Sequence, residues 1–334
     1  NKAGLGDFKA LIAGNDIEIV SVNDIKNIGA EISAENTVSL ESIKGSIWNK
    51  STARVNDLTY KIDSNIENTA KISGADISIK AGENYINTAA LVESRGNNGI
   101  TAKEVVVDTK EMHDYEKQGG KKNYTIIESY TNAGSTITGE NISISADKNI
   151  NRKGSDIAAD RELRVKAGED VNLTASIDSD YYEHQESKKK SFGRGKSKTE
   201  VKYTTSHNGA NLIGENVSIE SGKDTVIIGS NIQAGPEGSA AINAGGDIVQ
   251  AAVKDINYSY KKTTKTGFLG LTGSSKSTEQ YKEEAVKSNT ISGIGGTSYD
   301  AGSGVPLEGV TIVSTGNITL KGKEVSINPV ETEA

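Results

Sequence analysis

Short segments that alternate apolar and polar residues run along the chain, as in Ile77-Ser78-Ile79, Ile142-Ser143-Ile144, Leu163-Arg164-Val165-Lys166 and Val217-Ser218-Ile219. Alternation with a period of two puts every second side chain on one face, the mark of a strand with one side buried. The segments recur in a fixed setting: Ala or Ser, two variable residues, Asp or Asn, then another apolar residue. Leu11-Ile12-Ala13-Gly14-Asn15-Asp16-Ile17 and Ile32-Ser33-Ala34-Glu35-Asn36-Thr37-Val38 show it, and later copies stand at Ile242-Asn243-Ala244 and Val310-Thr311-Ile312-Val313-Ser314. Where copies are nearest, Ala13 and Ala34 lie 21 residues apart, as do Ala146 and Ala167. A second landmark, Gly-x-x-Ile at Gly29, Gly74, Gly134, Gly154 and Gly229, gives 20 residues between Gly134 and Gly154. A period near twenty made of short strands predicts an all-β fold, a parallel β-helix solenoid with about 20–21 residues per coil.

A strand of three to five residues cannot hold itself together, so each coil must stack on the coils above and below. Stacking aligns Ile, Leu and Val into internal columns at the strand spacing of about 4.8 Å. Glycine and Asp/Asn mark the corners, where the backbone can need positive φ or a local side-chain bond. The row Asp16, Asn84, Asn149, Asp170, Asp224, Asp247 and Asn317 is expected to bond backbone at those corners rather than to hold cations.

The spacing breaks in four places, and each excess reads as a β-hairpin leaving the shaft: 47–69, 105–131, 180–206 and 256–286. The second turns around Gln118-Gly119-Gly120-Lys121-Lys122, the third around Ser191-Phe192-Gly193-Arg194-Gly195-Lys196, and the fourth through Gly267-Phe268-Leu269-Gly270-Leu271-Thr272-Gly273. Tyr, Lys, Glu, Thr and Ser dominate these arms. Their amphipathic rings and basic tips are the candidate surface contacts: Tyr181, Tyr182, Lys188, Lys189, Lys190, Phe192, Arg194, Lys196, Tyr203, Tyr258, Tyr260, Phe268, Leu269 and Leu271.

Composition narrows the function classes. Of 334 residues only 34% are hydrophobic and 5% aromatic, with 36 Gly, 3 Pro and no Cys. A solenoid interior one side chain deep accommodates so thin an apolar fraction, whereas a globular enzyme of this length needs a larger aromatic core. The net charge of −7 argues against nucleic acid as a partner. No apolar run is long enough for a transmembrane helix, and Asn1-Lys2-Ala3-Gly4 does not open a signal peptide, so an excised segment is expected. Absence of cysteine suits a long exported chain as well as a reducing cytosol.

Candidate chemistry is sparse. His113, His184 and His207 stand singly, without zinc spacing, and no cofactor or metal is expected. Gly195-Lys196-Ser197 fails as a phosphate loop because Lys190 occupies the place of its first glycine. Gly293-Ile294-Gly295-Gly296 lacks the Asp of a calcium-binding nonapeptide. The Asn-x-Ser/Thr sequons, such as Asn141-Ile142-Ser143, follow from polar alternation along strands.

Glycine-bearing hairpins with Lys/Ser-rich tips, Lys188-Lys189-Lys190-Ser191-Phe192-Gly193 and Lys265-Thr266-Gly267-Phe268-Leu269-Gly270-Leu271, recur beside Gly-x-x-Ile coils ending in Ala-Gly-x-Asp. In this ordered combination, over roughly residues 5 to 328, the chain resembles the haemagglutinin repeat of filamentous haemagglutinins and contact-dependent growth inhibition effectors. The resemblance implies a right-handed parallel β-helix within a very long, secreted, cell-surface exoprotein of Gram-negative bacteria. It also implies export through a partner transporter of the two-partner secretion type, and a role in delivering a C-terminal toxin across a target cell's outer membrane. The function expected is therefore nonenzymatic: a rigid rod whose hairpins engage a target-cell surface or outer membrane, with self-association possible through its coil ends. The alternative is a polysaccharide-binding or polysaccharide-cleaving β-helix, a fold that also hosts lyases and hydrolases.

Overall fold

A computed structural model describes residues 10–333, so the start of the resemblance at residues 5–9 and the opening tetrapeptide lie outside the described residues. The shaft is a parallel β-helix with three strands per coil. The third strand of every coil joins a 10-stranded parallel sheet, one strand per coil, which makes ten coils. The first two strands of each coil form an 18-stranded sheet, continuous round one edge because Thr136–Ala146 and Asp156–Ala167 each pass the corner unbroken.

The inward columns follow the alternation. Ile19, Leu40, Ile79, Ile100, Ile144, Val165, Ile219, Ile242, Tyr299 and Leu320 stand in register through the shaft, each paired with the next. From Leu40 to Tyr299 every member of this column is buried. A fully buried Ile or Leu contributes about 1.5–3 kcal/mol, so these columns dominate the shaft's stability. A parallel column of small residues, Ala102, Ala146, Ala167, Ser221, Ala244 and Ala301, lines the corner where the second strand ends.

Polar columns bind the same coils together. Asn27 Nδ2 donates to Asn49 Oδ1 at 2.8 Å, and Asn49 Nδ2 to Asn87 Oδ1 at 2.8 Å, a buried amide ladder through three successive third strands. At the corners, Asn149, Asp170, Asp224 and Asp247 each accept the backbone N–H of the equivalent residue one coil on, the last from Gly304. The corner row thus bonds backbone, and among the described residues no group of three or more His, Cys, Asp or Glu converges to hold a metal ion.

Arms leave the shaft at one corner only, after the third strand of every second coil. They are the hairpins Thr52–Leu58 with Lys61–Asn68, Lys110–Gly119 with Tyr124–Ala133, Ser176–Lys189 with Gly195–Asn208, and Val253–Thr266 with Gly273–Val286. In the intervening coils the same corner is closed by one residue with positive φ: Gly29, Ala89, Gly154, Gly229 and Gly309. Glycine is required there sterically as well, since a Cβ on Gly154 would stand 2.2 Å from Ser176 Oγ at the root of the third arm. Two expected hairpin starts shift: Ile47–Lys50 and Glu104–Asp108 pair in the parallel sheet with Ile47, Val105 and Val107 buried. Alternation reads alike in a shaft strand and an arm strand, so the sequence alone ran them together.

Candidate functional site

The arms do not stand apart. All four pair edge to edge into one antiparallel sheet of eight strands, a blade alongside the shaft. The reason is commensurate spacing: two coils advance the shaft by about 9.6 Å, and the two strands of a hairpin occupy the same width. One hairpin per two coils therefore tiles the flank of the shaft without a gap.

Strand register places Tyr281, Tyr258, Tyr203, Tyr181, Glu128 and Tyr115 in a single row across the blade. Tyr260, Tyr124 and Tyr130 lie at even steps from this row and share its face. The phenols bond carboxylates of the same face: Tyr124 and Tyr181 both donate to Glu183 at 2.6 and 2.9 Å, Tyr130 to Glu128 at 3.1 Å, Tyr258 to Glu279 at 3.0 Å and Tyr281 to Glu283 at 2.9 Å. Burial, then the bond to Glu183, pushes the Tyr181 phenol up to about 12, and the bond to its glutamate raises Tyr258 and Tyr281. These tyrosines are hydrogen-bond donors across the neutral range. Tyr182 points to the opposite face, where the Lys202 ammonium sits 5.7 Å from its ring centre.

That opposite face is basic towards the free end of the third and fourth arms. Lys188, Lys196 and Lys265 stand in one cross-strand row, and Lys198 follows two residues later. With Lys190 and Arg194 they line a crevice of ≈ 390 Å³ between the two arm ends. Its one carboxylate, Glu186, is held by Lys188, and this contact lowers the Glu186 pKa below its ordinary value.

Beyond the lysines each arm turns through a short 3-10 segment, Ser191–Gly193 and Phe268–Gly270. Phe192 and Leu269 adopt positive φ, +61° and +53°, equivalent positions of the two turns. The Phe192 and Phe268 rings approach to 5.8 Å between centroids, and the Arg194 guanidinium lies 5.8 Å from the Phe268 ring. The result is one apolar crown shared by two hairpins, with Phe192 72%, Leu269 62% and Leu271 81% exposed.

Of the residues predicted from sequence, Lys188, Lys190, Phe192, Arg194, Lys196, Phe268 and Leu269 meet at the joint tip. Tyr181, Tyr203, Tyr258 and Tyr260 share the mid-blade face with one another, away from the crown, and Tyr182 does not join them. Lys189 falls on the tyrosine side of its strand by alternation, opposite Gly195. Leu271 follows the fourth turn and stays exposed. Sequence reasoning missed Tyr115, Tyr124, Tyr130 and their glutamates as members of the same face, because only pairing between separate arms aligns them. It also missed the histidines as arm-to-arm ties: His184 Nδ1 meets Thr125 Oγ1 at 3.0 Å and His207 Nδ1 meets Asp255 Oδ1 at 2.7 Å.

Comparison with known proteins agrees with this architecture. The family model described as hemagglutinin repeat matches residues 114–267 and again 191–334. The two matches are offset by 77 residues, the distance between the starts of the third and fourth arms at Ser176 and Val253. The chain is 32% identical over 226 residues to the 16S rRNA endonuclease CdiA of Enterobacter cloacae, covering 63% of this chain and 7% of that protein. It is 32% identical over 192 residues to a tRNA nuclease CdiA of Escherichia coli, covering 52% of this chain and 6% of the relative. Against the tRNA nuclease CdiA-2 of Burkholderia pseudomallei it is 28% identical over 225 residues, 61% of this chain and 7% of the relative. The chain thus spans less than a tenth of the length of these curated relatives. No solved structure matches it. Blade, shaft and repeat offset together identify the chain as a member of the hemagglutinin-repeat family.

Proposed function

We propose that this chain is a nonenzymatic stretch of a large secreted effector, in which the β-helix is a stiff shaft and the blade engages the surface of a target cell. In this reading the parent protein leaves the cell through a two-partner transporter and delivers a C-terminal toxin, as the names and nuclease activities of the relatives suggest for proteins of this build. The observation that carries the reading is the blade itself: four hairpins, polar on both faces and spent on no core, fused into one exposed sheet with a crown at its end. Surface that is assembled at such length and left uncovered serves contact. Apolar residues uncovered on the terminal coils, Leu11, Ile12 and Ile327, support the companion proposal of self-association end to end.

The test uses the shaft's own way of closing a corner. Thr174 and Asn211 end and begin strands on either side of the third arm, as Ile228 and Asn231 do across the armless corner Gly229-Ser230. Replacing residues 175–210 by Gly-Ser removes that arm while keeping the coil. Binding to target-cell outer-membrane vesicles is expected to fall at least about tenfold. Unchanged binding for this variant and for the matching deletion of the fourth arm overturns the proposal.

A further inference from the structure

We infer that the joint tip of the third and fourth arms is a lipid-anchoring site, its crown entering the acyl boundary of a bilayer while the crevice behind it takes the phosphate of an anionic lipid headgroup. The inference rests on the proposed surface-contact role and names the chemistry of the partner. Its first support is the vertical order of groups. Outermost are Phe192, Leu269 and Leu271, each more than half exposed, with Phe268 packed on Phe192 from the neighbouring arm. One step back along the same strands come Lys188, Lys196 and Lys265 in register, with Arg194 against the Phe268 ring. Apolar atoms first and cations a few ångströms behind match the order of acyl chains and phosphates met by anything entering a leaflet.

Charge is the second support. The chain as a whole carries −7, yet the crevice is lined by Lys188, Lys190, Arg194, Lys196, Lys198 and Lys265 against the single carboxylate of Glu186. Lys198 is paired with Glu200 at 2.7 Å and Lys188 with Glu186, which leaves an excess of cations facing one small space. Such a cluster concentrates an anion, and each basic residue near an anionic leaflet strengthens binding roughly fivefold. Preorganisation is the third: the crown is held by two hairpins at once, and the equivalent turns carry glycines with positive φ, Gly193 at +74° and Gly270 at +73°. The side chains are therefore fixed outward before any partner arrives, at little ordering cost on contact.

Co-sedimentation of the whole chain with vesicles tests this. Vesicles of phosphatidylcholine alone are compared with vesicles that also carry phosphatidylglycerol. Strong, salt-sensitive binding to the second kind only is expected. Phe192→Ser with Phe268→Ser should weaken it about tenfold per ring removed from the interface, and Lys196→Gln with Lys265→Gln roughly fivefold per charge. All four positions lie outside the shaft core, so an unchanged far-ultraviolet spectrum controls for folding. Inorganic phosphate should compete no better than chloride at equal ionic strength. If it competes specifically, the crevice is a site for free phosphate and the lipid assignment falls. Crown variants that bind like the parent also overturn it. Binding to target-cell vesicles without binding to protein-free anionic vesicles rejects the lipid partner and leaves the contact role intact. Lipid binding combined with no loss of cell-vesicle binding in the armless variants would reject the contact role instead.

Discussion

Single residues decide how each coil closes. At the armless corners four glycines and one alanine occupy positive φ, and Ala89 at +48° is the exception. An L side chain there costs about 1–2 kcal/mol, more than the entropy glycine loses on folding, so Ala89→Gly is expected to stabilise the shaft by roughly 0.5–1 kcal/mol, read as a higher urea midpoint. Arg152 presents the opposite case. It is buried at 1% exposure where its neighbours in the column are Val107 and Leu173, and it donates to the Ser155 and Asn211 carbonyls while Nε and Nη1 find no partner. Burial pulls its pKa down to about 9, still above neutrality, so the guanidinium remains charged inside the shaft. Arg152→Met should be neutral or stabilise by about 1–4 kcal/mol. Breaking the amide ladder is different: Asn49→Leu strands the Asn27 donor and the Asn87 acceptor and should cost about 1–3 kcal/mol for each group left buried. Neither Arg152 nor the ladder was legible in the sequence, because one polar residue at an inward step looks like a slip in alternation until the neighbouring coils are stacked on it.

At the level of elements, shaft and arms draw on different physics. The shaft buries continuous apolar columns, and its alternation and period made those columns readable from the sequence. The arms have no core, and an isolated hairpin is marginal in water. They persist because each neighbour supplies ladder bonds and side-chain ties such as Asn132 to Asp178 at 2.8 Å and Tyr124 to Glu183 at 2.6 Å. Polar strands carry no pattern that announces a partner, which is why the arms could be placed but their union could not. Their dependence on ion pairs gives them a pH limit. Bonds to Lys188, Lys198 and Lys254 hold Glu186, Glu200 and Glu283 below the ordinary value of 4.5. A depressed carboxyl stabilises the fold above that value and ceases to do so as pH falls through its lowered one. Hydrogen exchange near pH 3 to 4 is therefore expected to show arm amides losing protection while those of Ile144, Val165 and Ile219 keep theirs; simultaneous loss would contradict this division.

For the molecule as a whole, the blade and the shaft are two sheets advancing along one axis at the same rate. Removing the third arm should leave a cooperative β-rich shaft, since the Gly-Ser corner reproduces one already present at Gly229. It should also leave a gap two strands wide between the second and fourth arms, which limited proteolysis would detect as new cleavage in Tyr124–Ala133 and Val253–Thr266. After the last coil, the chain beyond Asn328 turns towards the blade, where the Glu283 amide donates to the Glu333 carbonyl at 2.7 Å. The match between coil rise and hairpin width makes two coils plus one arm a modular unit, like a tread and its riser. Adding or deleting whole units changes the number of contact sites and the reach of the rod by the same count, without bending either, so copy number alone can tune avidity while the parts stay the same.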